Sequence, residues 1–450
     1  MFALKAPRPR TPPRLSRALA TTAPRAQLTR PAIDTPASLW NFTEEEYMLR
    51  ETVRRFAQDV IAPKVQEMDE NELMSPDIIQ GLFDNGLMGI ETSADHSGSE
   101  CSFTGAIIAV EELARVDPSV AVLCDVHNTL VNTVLRLYGS PEIQEKWLPD
   151  LATSKVGSFC LSEANAGSDA FGLQTTAKLD SSGDFYVLNG SKMWISNSGE
   201  ADTFLVFANV DPSKGYKGIT CFIMSKDMGV EIAKKEKKLG IRASSTCVLN
   251  FDDVKIPKEN IVGEVGKGYK IAIEILNEGR IGIAAQMIGL AQGAFDKSLE
   301  YAYQRKQFGK AVGEFQGMGF QFAEAATEIE AARLLTYNAA RLKEEGRPFT
   351  KEAAMAKYYA SVMAQKVSGS AIEWAGGQGF VRETGLEKFW RDSKIGAIYE
   401  GTSNIQLETI AKFLRGSCLA SMSEILTCFL RQRVPDLSVL YQPVPQYSEL

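Results

Sequence analysis

Apolar positions recur with a helical period in the first third of the chain, change to short β-like runs in the middle, and return to the helical period towards the end. Over 44–66 the apolar residues Tyr47, Leu49, Val53, Phe56 and Val60 fall at the spacing that lays one face of a helix on a core. The pattern repeats over 78–87 and 107–116; Asp117-Pro118-Ser119 then breaks the chain and restarts it, and 120–138 is a largely apolar run. The stretch from Trp40 to about Asp150 therefore reads as helices. His127 lies within it and reads as a satisfied core histidine rather than a catalyst. From Val156 the runs are strand-like: 184–188 and 191–196 flank Asn189-Gly190, a strong hairpin signal, and 203–210, 218–224 and 247–251 follow. From Gly268 three long alanine-rich helices are expected over 271–304, 315–345 and 350–375, with a further helix over 407–415. Gly346 and Pro348 separate the second from the third, and together they suggest an antiparallel bundle.

The expected fold class is α+β: an N-terminal helical domain over 34–155, a middle β-domain over 156–267 and a C-terminal helical bundle over 268–416. Residues 417–450 form an extension of unreadable role. Residues 1–33 hold seven basic residues, six prolines and no acid, which suits a mitochondrial transit peptide, with a disordered basic tail as the alternative. Without it the chain carries 42 basic against 56 acidic residues, a poor general binder of nucleic acid. Apolar content of 44% with charge of 23% is ordinary for a globular protein, and no apolar run is long enough to span a membrane. Seven cysteines with no C-x-x-C pair argue against a disulfide scaffold or a zinc site; two histidines make a metal centre or a serine triad improbable.

One acid stands out. Glu400 ends an apolar approach at a glycine joint, and Thr402, Ser403 and Asn404 after it are residue types that cap a helix. A carboxylate on a partly desolvated turn is a candidate general base; an acid decorating a helix N-terminus is the plainer alternative. Three other segments carry weaker signals. The loop 160–169, with Gly167 and Ser168, permits close backbone approach to a ligand, or is an ordinary loop held by a side-chain-to-backbone turn. Glycines 376, 377 and 379 at a helix end can cradle a pyrophosphate or simply cap the helix. Arg305 sits on a connection between bundle helices, where it can pair with phosphate or belong to a solvated turn, and 277–280 places polar residues inside an apolar helix as a solvent face or a cleft lining.

Taken together these segments resemble the acyl-CoA dehydrogenase family from about Trp40 to Arg415. The first family pattern runs from Cys160-Leu161-Ser162-Glu163 through Gly167-Ser168-Asp169 to Gly172; the second runs from Glu373 through Gly376-Gly377 and Gly379-Phe380 to Glu383, Lys388 and Asp392. Within the family, 189–196, 277–286 and 334–341 are most similar to members acting on short or branched acyl chains. The resemblance implies a homotetramer with FAD between β-domain and bundle. It implies that Phe159, Cys160, Leu161, Ser162, Glu163, Ala164, Asn165, Ala166, Gly167 and Ser168, with Trp194, Ile195 and Ser196, line the flavin ring. Arg305, Gln316, Glu373, Trp374, Ala375, Gly376, Gly377, Thr402, Ser403 and Asn404 match further FAD contacts, some reaching a neighbouring subunit's flavin. Ser168, Tyr216, Tyr269, Asn277, Glu278, Gly279 and Arg280 match positions that contact the acyl-CoA, and Glu400 matches the catalytic base. Some members carry the base on the first bundle helix instead, but that position is Gly279 here. The implied reaction is α,β-dehydrogenation of an acyl-CoA in the mitochondrial matrix, with electrons passed to electron-transferring flavoprotein. An acyl-CoA oxidase and a non-catalytic acyl-CoA binder are the rival readings.

Overall fold

The structure is a computed structural model and describes residues 41–415. The candidate leader and the C-terminal extension lie outside the described residues. The N-terminal helices are α1 (Glu44–Phe56), α2 (Val65–Asn71), α3 (Pro76–Asp84), α4 (Phe103–Ala114), α5 (Pro118–Asp125), α6 (Thr133–Tyr138) and α7 (Pro141–Thr153). Local chemistry sets their starts. Thr43 and Glu46 form a reciprocal capping box on α1, and Asp117 caps α5 with Pro118 in its first turn. Between α5 and α6 the chain does not stop but widens into a π-helical stretch, Val126–Asn132, whose seven residues are all buried. His127 lies there: its Nε2 meets the Leu151 carbonyl at 2.9 Å and its Nδ1 accepts from the Gly157 N–H at 2.9 Å. Both ring nitrogens are engaged by backbone, and burial holds the imidazole down at about 4, so it stays neutral.

The middle of the chain supplies β1 (Gly157–Cys160), β2 (Thr176–Leu179), β3 (Phe185–Ser196), β4 (Thr203–Asn209), β5 (Ile219–Ser225), β6 (Glu231–Lys235), β7 (Thr246–Pro257) and β8 (Ile261–Val262). The sheet runs β6-β7-β3-β2-β4-β5-β8, with β1 alongside β4 in parallel. Asn189-Gly190 is not a hairpin turn. β3 passes straight through it for 12 residues, and the ladder with β7 slips between Leu188 and Gly190. Gly190, at φ +146°, makes a bulge where a Cβ would strike Thr175, and Asn189 bonds across to Asp253 at both ends of its amide. The turn that feeds β3 lies earlier, around Asp180 and Gly183. Strands β1, β2 and β6 are too short to have shown an alternating pattern.

The C-terminal part holds α8 (Gly268–Gln304), α9 (Gln316–Glu344), α10 (Thr350–Ala375), α11 (Gly377–Phe380), α12 (Leu386–Ser393) and a helix over 403–415. That last helix begins four residues before the expected 407, because the Thr402 hydroxyl accepts from the Ile405 N–H and caps it there. With 37 residues, α8 is ~55 Å long.

Three apolar clusters fill the molecule. Phe204, Val206 and Ala208 of β4 point into a core shared with α1 to α5, while Leu205 and Phe207 point into a second core. That second core includes the π-helical stretch and the start of α8. The third is the bundle interior. Ile395 and Tyr399 pack against both the second and the third, so the turn that follows them sits at the seam.

Candidate active site

Glu400 occupies that seam. Its backbone is left-handed, φ +49°, and Gly401 follows at φ +82°. A non-glycine residue there is strained by ~1–3 kcal/mol and persists only where its surroundings over-determine it. They do: the Lys357 Nζ, on α10, donates to the Tyr399 carbonyl at 2.8 Å and the Gly401 carbonyl at 2.7 Å. The Gln406 amide donates to the carbonyls of Glu400 and Gly401 at 3.1 and 2.9 Å. Among the described residues the Glu400 N–H donates to no acceptor.

The Glu400 Oε2 is closed off from solvent and has no hydrogen-bond partner. Burial raises the carboxyl to about 6, against the opposing pull of the Lys357 and Arg280 charges. Gly279 gives it room. A Cβ at that position would stand 3.0 Å from Glu400 Oε2 and 3.0 Å from Leu130 of the π-helical stretch. One turn on, a Cβ at Gly282 would stand 2.0 Å from the carboxyl of Asp125. Asp125 is buried at the end of α5, and burial followed by the Glu400 charge pushes it well above the carboxylate range.

The other expected positions fall into three places. Arg280 and Asn277 stand beside Glu400 on α8, joined by a 2.8 Å bond from Arg280 Nη1 to Asn277 Oδ1. Glu278 points elsewhere, into a cluster with Lys343 and Glu91. Tyr216 and Tyr269 meet edge to face at 5.0 Å. At the end of β1 and in the loop after it, Phe159, Cys160, Leu161, Glu163 and Ala166 are buried, Ser162 is half-buried, and Ala164, Asn165, Gly167 and Ser168 are exposed. Glu163 is spent internally: it accepts from Lys192 at 2.7 Å and from the N–H groups of Gln174 and Thr175. Lys192 also holds the Leu161 carbonyl at 2.9 Å, so a buried ion pair shapes this loop. At the far end of β3 a second slip in the ladder throws Trp194 outward, 56% exposed at φ +63°, while Ile195 stays buried and the Ser196 carbonyl accepts from Ser158 at 2.6 Å. A non-glycine residue in that backbone region is uncommon and persists only where its surroundings hold it.

The third place is remote. Arg305 and Glu373–Gly377 line a cleft of about 420 Å³ at the opposite end of α8. Trp374 and Ala375 turn into the bundle, Trp374 through a 2.9 Å bond to Gln321, which leaves Glu373, Gly376 and Gly377 at the exposed rim. Gln316 is exposed at the start of α9, and of the helix-capping trio Thr402 and Ser403 are half-buried and Asn404 exposed. Arg305 lies 26 positions beyond Gly279, ~39 Å along the helix axis.

Comparison with known proteins gives the family. The sequence matches the acyl-CoA dehydrogenase N-terminal domain over residues 43–155, the middle domain over 158–254 and the C-terminal domain over 266–415. The chain belongs to the acyl-CoA dehydrogenase family. It is 58% identical to the mitochondrial short/branched chain specific acyl-CoA dehydrogenase of Rattus norvegicus, over 84% of this chain and 87% of that protein. Among solved structures, butyryl-CoA dehydrogenase from Megasphaera elsdenii superposes with a TM-score of 0.82 at 41% identity, covering 83% of this chain and 99% of that one. An acyl-CoA dehydrogenase from Bacillus anthracis complexed with FAD gives 0.80 at 30% identity, covering 87% and 70%. The α–β–α order of this acyl-CoA dehydrogenase and its helical bundle agree with the sequence reading. Lys357, Gln406 and Asp125 were not singled out there. A signal existed for Lys357: it falls on the same stripe of α10 as Ala353, Ala360 and Ala364, all buried, where a lysine needs a reason.

Proposed function

We propose that this acyl-CoA dehydrogenase removes the α-proton of a short or branched acyl-CoA with Glu400, while the β-hydrogen leaves as hydride. The observation that carries the reading is the desolvated Glu400 carboxyl, aimed at the gap that Gly279 leaves beside Leu130. A thioester α-hydrogen is a weak acid, so the base must be held ready and the carbonyl oxygen must be stabilised as it gains negative charge. The unpaired Glu400 N–H is the donor for that oxygen. Entry of an acyl chain into the apolar surroundings of Leu130 and Tyr399 excludes water and raises the proton affinity of Glu400 further. Arg280 and the Tyr216–Tyr269 pair are the contacts for the rest of the acyl-CoA, with Ser168 at the rim of the β1 loop.

Residues fit FAD on this chain's own geometry. A Cβ at Gly167, Gly376 or Gly377 would meet nothing within 4 Å, so each glycine opens onto space a ligand can fill, and Arg305 lines the cleft beside two of them. Bound FAD supplies the hydride acceptor. Arg305 lies ~39 Å along α8 from the Gly279 gap, which suits an oligomer, taken here as a homotetramer, in which Arg305 and Gly376-Gly377 hold the cofactor of a neighbouring chain. Electron-transferring flavoprotein as the acceptor and the mitochondrial matrix as the location complete the reading, on the likeness to the relatives above and the basic leader.

The test is anaerobic reduction of the purified flavoprotein by 2-methylbutyryl-CoA, isobutyryl-CoA, butyryl-CoA, isovaleryl-CoA and octanoyl-CoA. Bleaching of the flavin by a short or 2-methyl-branched ester, lost in Glu400→Gln, is expected. Unchanged bleaching in Glu400→Gln removes the base assignment, and bleaching by octanoyl-CoA alone removes the substrate class.

A further inference from the structure

Three successive carbonyls, those of Tyr399, Glu400 and Gly401, are taken by only two side chains, Lys357 and Gln406, both wholly buried. The 399–400 peptide is trans, so its C=O and N–H point in opposite directions. Whatever holds the Tyr399 carbonyl therefore also aims the Glu400 N–H. We propose that Lys357 is a positioning residue which, with Gln406, clamps the turn so that the Glu400 carboxylate and N–H face the substrate together, and whose charge sets how readily Glu400 takes a proton. This rests on Glu400 being the base.

Hydrogen bonds alone do not require a lysine. A glutamine on α10 supplies two N–H donors without the cost of burying a cation. What lysine adds is charge beside the base. The charged or titratable groups facing Glu400 are Lys357 from α10, Arg280 from α8, Asp125 from α5 and the neighbouring Tyr399. Lys357 and Arg280 favour the carboxylate; Asp125 shares its burial and opposes it when ionised. Burial holds Lys357 itself down at about 7. An uncharged amine still has two N–H donors, so the clamp persists in either state while the electrostatic effect belongs to one. A hydrogen bond on the Tyr399 carbonyl also polarises that peptide and strengthens its N–H as a donor.

The experiment follows the rate of flavin reduction by 2-methylbutyryl-CoA against pH in the holoenzyme and in Lys357→Gln, Lys357→Met and Gln406→Leu. Exchange of the substrate's α-hydrogen with deuterated solvent reads the proton step by itself, and flavin content and melting temperature report folding. Lys357→Gln should shift the acidic limb of the profile upward by about one pH unit. Gln406→Leu should lose roughly 100-fold in maximal rate with the limb unmoved. Lys357→Met should do both, with half-saturation by substrate little changed. If both Lys357 variants keep the wild-type limb and rate, the lysine is packing only and the inference is overturned. Should neither fold, Gln406→Leu decides, and an unchanged maximal rate overturns the clamp. An inactive Glu400→Gln beside fully active Lys357 variants sinks this inference alone, whereas an active Glu400→Gln sinks the base reading under it.

Discussion

At the residue scale the proposed reaction centre rests on the Glu400 Oε2 and on the absence of a side chain at Gly279, where a Cβ would stand 3.0 Å from it. Gly279→Val fills that gap with branched carbon, displacing the base or Leu130. A misplacement of about 1 Å costs roughly 100-fold in rate, expected here with the melting temperature and flavin content near wild type. The raised proton affinity gives a second expectation. As the proposed base, Glu400 must be ionised in the free enzyme, and burial raises its carboxyl midpoint to about 6. kcat/KM should therefore fall about tenfold for each pH unit below that midpoint, and a profile flat down to the ordinary glutamate range would contradict the burial. Glu400 was conspicuous in the sequence as a lone acid at a glycine joint. Its supports were not, because Lys357, Gln406 and Asp125 lie within helices whose period announces only a core.

At the scale of elements, the helices and the longer strands β3, β4, β5 and β7 were legible, and the short strands and the pairing order of the sheet were not. A helix writes its period over 10 or more residues of its own sequence, whereas a strand's place depends on partners elsewhere in the chain. Asn189-Gly190 shows the difference: the dipeptide carries a permissive backbone, and the partner strand decides whether it becomes a turn or a bulge. What joins the elements was also invisible. Lys388 of α12 pairs with Asp117 at 2.9 Å and Asp392 at 2.6 Å, while Asp392 accepts from the Ile241 N–H at 2.5 Å. One buried group of three charges thus ties the helical domain, the β-domain and the bundle together. Lys388→Met leaves two carboxylates buried without a cation. A loss of about 3–5 kcal/mol is expected, seen as a lower melting temperature and as activity that decays faster on heating.

The whole molecule repeats the order read from the sequence: helices, sheet, helices. Its longest member, α8, carries the Gly279 gap about a third of the way along and delivers Arg305 at its far end, so the gap and the cleft are held ~39 Å apart along one element. If each chain's cleft serves its neighbour's site, chains that fail for different reasons should repair one another. Glu400→Gln and Arg305→Ala chains, each inactive alone, should recover about a quarter of wild-type activity when equal amounts are unfolded and reassembled together. In every mixed pair one site then draws its base from one chain and its cleft from the other. Mixtures as inactive as their components would mean that each chain serves only itself. For an organism carrying two damaged copies of the gene, the separation along α8 becomes a matter of inheritance. If the cleft is shared between chains, a lesion at the Glu400 turn and a lesion at the Arg305 cleft would complement each other, and two lesions at the same place would not.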